Sequence, residues 1–141
     1  MSIEKNKALL RRYVEEVLNK RNIDAVSKFF AANCVDHTAP LGTPPGISGI
    51  RQLLAATLEA FSDLYVTIED MIAEEDKVVS RFKGRGTHTT EFMGVAPTGR
   101  KLTMMQINID YIARGKIVEH WGLADQMALM QQLRVAPSTT R

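Results

Sequence analysis

The apolar pattern changes period once, at Ser62 and Asp63, and this change limits the folds open to the chain. Before it, apolar residues recur at helical spacing. Leu10, Tyr13, Val14 and Val17 follow the i, i+3, i+4, i+7 pattern, and Ile50, Leu53, Leu54, Leu58 and Phe61 line one face of a later segment. After it, the period is two. "LYVTIEDMIAE", "VVSRFKGRGTH", "KLTMMQINIDYI" and "IVEHWGLA" read as strands, with tight turns at "EEDK" and "ARGK". Helices followed by an antiparallel meander make an α+β fold. No crossover helices alternate with the strands, which excludes an α/β arrangement.

The punctuation agrees. Ser2 is placed to cap the first helix and Ser48 to cap the third. A short second helix is expected from about Asp24 to Phe30, and "NCVDHT" is a short extended piece. The prolines and glycines of "APLGTPPGISG" make a loop. "DQMALMQQL" closes as a helix capped by Asp125, and residues 134–141 read as a flexible tail. Nothing divides residues 1–141, so one domain is expected, and 141 residues suffice for a real core.

Eighteen basic and sixteen acidic residues give a net charge of +2, too small to argue for nucleic acid or an anionic membrane surface. The single cysteine, Cys34, allows neither an internal disulfide nor a zinc framework and suits a reducing compartment. The opening "MSIEKNKALLRR" has no apolar run like a signal sequence, and no stretch approaches membrane-spanning length. A cytoplasmic protein is expected.

The chemistry-bearing residues cluster late. Arg81, Lys83 and Arg85 form one row of their strand and should face water. Val78, Ser80, Phe82, Gly84, Gly86 and His88 should then face inward. Two glycines before an inward histidine can mark a close ligand approach, or only a strand that had to curve. His37 precedes the Pro/Gly loop and is either a pocket-rim residue or a surface histidine. In "GKIVEHWGLAD", strict alternation puts Ile117, Glu119, Trp121, Leu123 and Asp125 on one face and Val118 and His120 on the other. A carboxylate against an indole is partly desolvated, which raises its pKa toward that of a general base or acid. Asp125 is thus a candidate base, or simply a helix cap. No nucleophile elbow, phosphate loop, dinucleotide fingerprint or metal-ligand spacing is found, so neither cofactor nor metal is expected.

"FFAANCVDHTAP", "GTHTTEFMGVAPTGRKL" and "GKIVEHWGLADQMALMQQL" occur in the order found in SnoaL-like polyketide cyclases, and from about Leu9 to Leu133 the chain resembles that family. It comprises ester-cyclase-like proteins of the nuclear transport factor 2-like (cystatin-like) superfamily. The resemblance implies a cone: a strongly curved antiparallel sheet around helices, with a pocket inside. Family cyclases close a ring by intramolecular aldol condensation without metal or cofactor. An acidic residue near the end of the last strand removes a proton next to a carbonyl, and Asp125 matches it. The assisting histidine of the preceding strand has no counterpart here, where Asn108 or Asp110 occupies the neighbourhood.

The sequence therefore suggests a cofactor-free acid–base enzyme acting on an apolar, carbonyl-bearing small molecule such as a polyketide, by cyclisation or isomerisation. Asp125 would be the base and His88 the donor to the enolate oxygen. His37, Phe92, Met93, Asn108, Glu119 and Trp121 would meet the substrate. The rival is a non-catalytic small-molecule binder. Epoxide hydrolysis is the lesser alternative, since it needs a second carboxylate, for which Asp110 could serve, and an inward arginine. The row Met105, Ile107, Ile109 and Tyr111 is too apolar to face water, so a homodimer is expected.

Overall fold

The computed structural model describes residues 2–134. Helix α1 spans Ile3–Tyr13, followed by a π-helical stretch at Val14–Asn19 and a 3₁₀ turn at Ile23–Lys28. Strand β1 (Phe30–Asp36) and helix α2 (Gly46–Ala60) precede β2 (Tyr65–Glu74), β3 (Lys77–Thr87), β4 (Lys101–Ala113) and β5 (Lys116–Ala124). Helix α3 covers Gln126–Leu133. The expected tail lies outside the described residues except for Arg134.

The caps explain where helices begin. Ser2 accepts from the Lys5 backbone N–H at 3.1 Å, and Asp125 from that of Ala128 at 3.0 Å. Ser48 does not cap α2. The helix starts two residues earlier, after the extended Pro45, and the Ser48 hydroxyl donates back to the Pro45 carbonyl. The "ARGK" turn has positive φ at both Arg114 and Gly115, the two-residue geometry that matches strand twist.

The five strands form one sheet in the order β1-β5-β4-β3-β2. The last four make the expected antiparallel meander. β1 joins its end by pairing parallel with β5, so the sheet is mixed rather than wholly antiparallel. Three register shifts interrupt the ladders, one of them in β1 between the pairs Phe30–Ile117 and Val35–Glu119. Glu69 is the extra residue of β2, between the pairs Ile68–Phe82 and Asp70–Arg81. Val118 is the extra residue of β5, between Ile112–Ile117 and Tyr111–Glu119.

The Val118 bulge corrects the predicted faces of β5. Ile117 is fully buried, but alternation restarts at Glu119. His120 and Gly122 therefore turn inward, opposite the phase that strict counting from Ile117 gives.

One core joins the helices to the inner face of the sheet. Phe29 and Phe61 are fully buried, and Tyr13 packs edge-on against both Phe29 and Phe30. Full burial of such a side chain contributes about 1.5–3 kcal/mol. Polar side chains lock the edges. Asn19 pairs with the Val66 backbone in both directions, at 2.9 and 2.7 Å. Arg21 donates to the Phe61 and Leu58 carbonyls and so closes the C-terminal end of α2.

Candidate active site

A cavity of about 420 Å³ opens between α2 and the inner face of the sheet. Leu18, Phe30, Ile50, Leu54, Phe82 and Met104 give it an apolar wall. Tyr13, Asp36, Gln106, Asn108 and His120 give it a polar end. An apolar cavity with a few convergent polar groups is the usual form of a small-molecule site. A larger groove of about 590 Å³ runs between α1 and β2, but Arg11, Glu15, Glu69 and Asp70 line it as an open, charged trough.

The polar end is built by cross-strand pairing. Asp110 of β4 and Asp36 of β1 are the partners of His120 on its two sides. The His120 Nδ1 lies 2.7 Å from the Asp110 Oδ1. When Asp110 is ionised it can only accept, so Nδ1 carries the proton, and in the neutral ring Nε2 presents its lone pair. Burial alone would pull the His120 pKa down. The hydrogen bond and charge of Asp110, with the charge of Asp36, outweigh it and hold the pKa above its ordinary value. Burial pushes Asp110 up as well, against the pull of His120. The Tyr13 hydroxyl is pushed up by burial and by the charges of Asp110 and Asp36.

An amide chain flanks the pair. Gln106 Nε2 donates to Asn108 Oδ1 at 2.6 Å, and Asn108 Nδ2 donates to the Ser80 hydroxyl at 3.5 Å. The Gly122 N–H donates to the Thr38 hydroxyl at 2.8 Å, and Thr38 in turn leans on Asp36. Among the described residues, no Lys or Arg lines the cavity. Among the described residues, no three His, Cys, Asp or Glu side chains converge so as to hold a metal ion.

The residues singled out from the sequence fall in three places. Asn108 is buried on the inner row and lines the cavity. His37, Glu119 and Trp121 do come together, but beside the exposed row of β4 rather than in the cavity. His37 Nε2 lies 2.8 Å from the Glu119 carboxylate, and its ring stacks on Trp121 with centroids 4.1 Å apart. His88, Phe92, Met93 and Asp125 do not line the cavity. Asp125 is exposed and holds the N-terminus of α3.

His88 faces inward, as its row requires, and is fully buried. Phe61 fills the space that Gly86 leaves, where a Cβ would stand 2.9 Å from that of Phe61, whereas Gly84 borders the cavity. The His88 Nδ1 accepts from the Thr98 N–H at 3.3 Å. Phe92 packs edge-on against Phe61 at 4.9 Å, and Met93 is exposed with φ +52°. His88 and Asp125 thus do not share a cavity.

Sequence reasoning missed the pairing of His120 with Asp110. The signal was there, since Asp110 and His120 stand opposite across the "ARGK" turn once one bulged residue is allowed.

A model of the SnoaL-like polyketide cyclase family matches residues 8–133. The chain belongs to this family. No curated protein matches. Solved structures agree in fold. IdmH of Streptomyces antibioticus, proposed to be a polyketide cyclase, is 31% identical with a TM-score of 0.79, over 92% of this chain and 99% of that one. AclR of Streptomyces galilaeus, proposed to be a hydroxylase, is 28% identical with a TM-score of 0.84, over 99% and 91%. TsrD of Streptomyces laurentii has a TM-score of 0.89 at 21% identity, over 96% and 99%, a likeness of fold. The SnoaL-like assignment covers the elements that form the cavity. No helix among the described residues is long and apolar enough to cross a membrane.

Proposed function

We propose that this SnoaL-like chain is a cofactor-free acid–base enzyme acting on a neutral, apolar, carbonyl-bearing small molecule, with His120 as the group that moves the proton. The observation that carries this reading is the Asp110–His120 pair at 2.7 Å, with His120 on the cavity and Asp110 buried behind it. Asp110 fixes the tautomer and stabilises the imidazolium that forms. His120 Nε2 takes a proton from the carbon next to the carbonyl. The Tyr13 hydroxyl or the Gln106 amide can then steady the enolate oxygen. Ring closure or a double-bond shift follows from the same enolate. Among the described residues no cationic side chain lines the cavity, which favours neutral over anionic substrates.

Deuterium exchange at the carbon next to the carbonyl of 2-tetralone, followed by NMR in D₂O, tests the reading. Exchange should exceed buffer, vanish in His120→Gln and persist in Asp125→Asn. Loss in Asp125→Asn with retention in His120→Gln would return the role of base to Asp125, as the family resemblance implied. Binding without exchange would favour the non-catalytic reading.

We also propose a homodimer formed through the outer face of the sheet. Ile107 and Ile109 are 54% and 38% exposed there, beside Met105, Tyr111 and Trp121. Sedimentation at micromolar concentration showing only monomer would reject it.

A further inference from the structure

Asp36 ends β1 beside His120, its cross-strand partner, and lines the cavity. With Ala39 and Ile50 it also lines a second cavity, of about 210 Å³, under the Pro/Gly loop. Asp36 therefore stands at the partition between two spaces.

One edge of its carboxylate is fixed. Oδ1 accepts from the Thr38 N–H at 3.1 Å and from the Thr38 hydroxyl at 3.2 Å. That hydroxyl in turn accepts from the Gly122 N–H at 2.8 Å, which ties the turn to β5. Among the described residues, no donor reaches Oδ2, and no Lys or Arg lines either cavity. The charge is felt on both sides of the partition. Burial pushes the Tyr13 hydroxyl, Asp110 and the Cys34 thiol up, and the charge of Asp36 adds to each.

In an open cavity, solvent can supply a donor to Oδ2. A ligand that fills the cavity displaces that solvent. A purely apolar ligand then strands a charged acceptor, which is costly. A ligand with a hydroxyl at that point restores the bond, and bonds to charged acceptors are the stronger kind. An ammonium would also satisfy Oδ2, but it would stand beside the imidazolium that forms on His120 at each turnover. A neutral donor meets no such repulsion.

We propose that Asp36 is a specificity-determining residue whose Oδ2 accepts a hydrogen bond from a substrate hydroxyl, so that the substrate is a hydroxylated carbonyl compound. The proposal rests on the reading of this cavity as the substrate site. Asp36 and His120 are neighbours on adjacent strands, so the hydroxyl stands close to the carbon that loses its proton.

The test measures binding by calorimetry and deuterium exchange by NMR. The probes are 2-tetralone, its four isomers hydroxylated on the aromatic ring, and the methyl ethers of those isomers. In wild type, at least one hydroxy isomer should bind about tenfold or more tighter than its own ether, which cannot donate. Asp36→Asn keeps the size and the Thr38 bonds but offers the ether an amide donor. There the preference should fall at least about fivefold, and any steric cost of the methyl group cancels between the two proteins. Asp36→Ser makes the same comparison if Asp36→Asn does not fold. No binding by any hydroxy isomer, or none tighter than its ether, would overturn the inference. So would a preference unchanged in the variant. Exchange of 2-tetralone in wild type would leave the proposed function standing in either case. A hydroxyl preference that the variant loses, with no exchange of any probe, would support the inference and remove the acid–base reading.

Discussion

Asp110 and His120 face each other across the β4–β5 ladder, 2.7 Å apart, with the carboxylate sealed from solvent and the imidazole on the cavity. The two strands that carry them are joined by a two-residue turn. The pair is therefore positioned by a local hairpin, while Asp36 reaches the same imidazole only through the non-local parallel pairing of β1.

The pH–rate profile should follow from this. His120 must be neutral to act as a base, so the rate rises with pH through its pKa. Asp110 and Asp36 hold that pKa above the ordinary histidine value, and the Tyr13 hydroxyl facing them is kept protonated. In Asp110→Asn the charge is gone but the burial remains, so the rising limb should move to lower pH. His120→Gln should lower the plateau by about 10²–10⁴-fold. A limb unmoved in Asp110→Asn would show that His120 does not set the profile.

Stability should depend on the same group. A folded-state pKa raised above the unfolded value gives stability that is fully present below the unfolded pKa. That share is lost as pH rises through the folded pKa of His120. Thermal melts should show the midpoint of wild type declining above neutral pH. The decline should be shallower in Asp110→Asn, which no longer rewards the imidazolium. Parallel curves for the two proteins would contradict this.

Asp125→Ala should loosen the last helix. The side chain accepts from the Ala128 N–H, and loss of such a cap costs about 0.5–2 kcal/mol. Denaturant unfolding should show that loss, while exchange of 2-tetralone stays within about twofold, well inside the 10²-fold or more that a lost base would cost.

Gly86→Ala should destabilise the molecule with little effect on the cavity. Its new Cβ would press on Phe61, which is fully buried, and overpacking of this kind costs about 1–3 kcal/mol. A lowered melting temperature with unchanged pH–rate behaviour is expected. Unchanged stability would mean that Phe61 can retreat.

Much of the fold was legible because it is local. The change of period at Ser62 and Asp63, the Ser2 and Asp125 caps and the inward row ending at His88 all depend on near neighbours in sequence. The parallel pairing of β1 with β5 was not legible, because its partners are more than eighty residues apart. Of the residues singled out, Asn108 does line the cavity, and the others lie elsewhere for two physical reasons. Alternation counted from Ile117 crosses a bulge it cannot see, which exchanged His120 for Glu119 and Trp121. The two glycines before an inward histidine signalled space, which Gly84 does border, but Phe61, from outside the strand, fills the space at Gly86 next to His88.

The extra residue at Val118 has a consequence for descent as well as for geometry. One bulged residue sets the phase of everything after it in β5. A lineage that lost the residue would keep the register, with Ile117 and His120 both facing in. One that kept the residue but paired it regularly would carry the Glu119 carboxylate toward the cavity and turn His120 out. No substitution would be needed in either residue. Chemistry held by phase in this way can diverge through the loss of a bulge, and two relatives with the same "EHWG" could present different groups to their ligands.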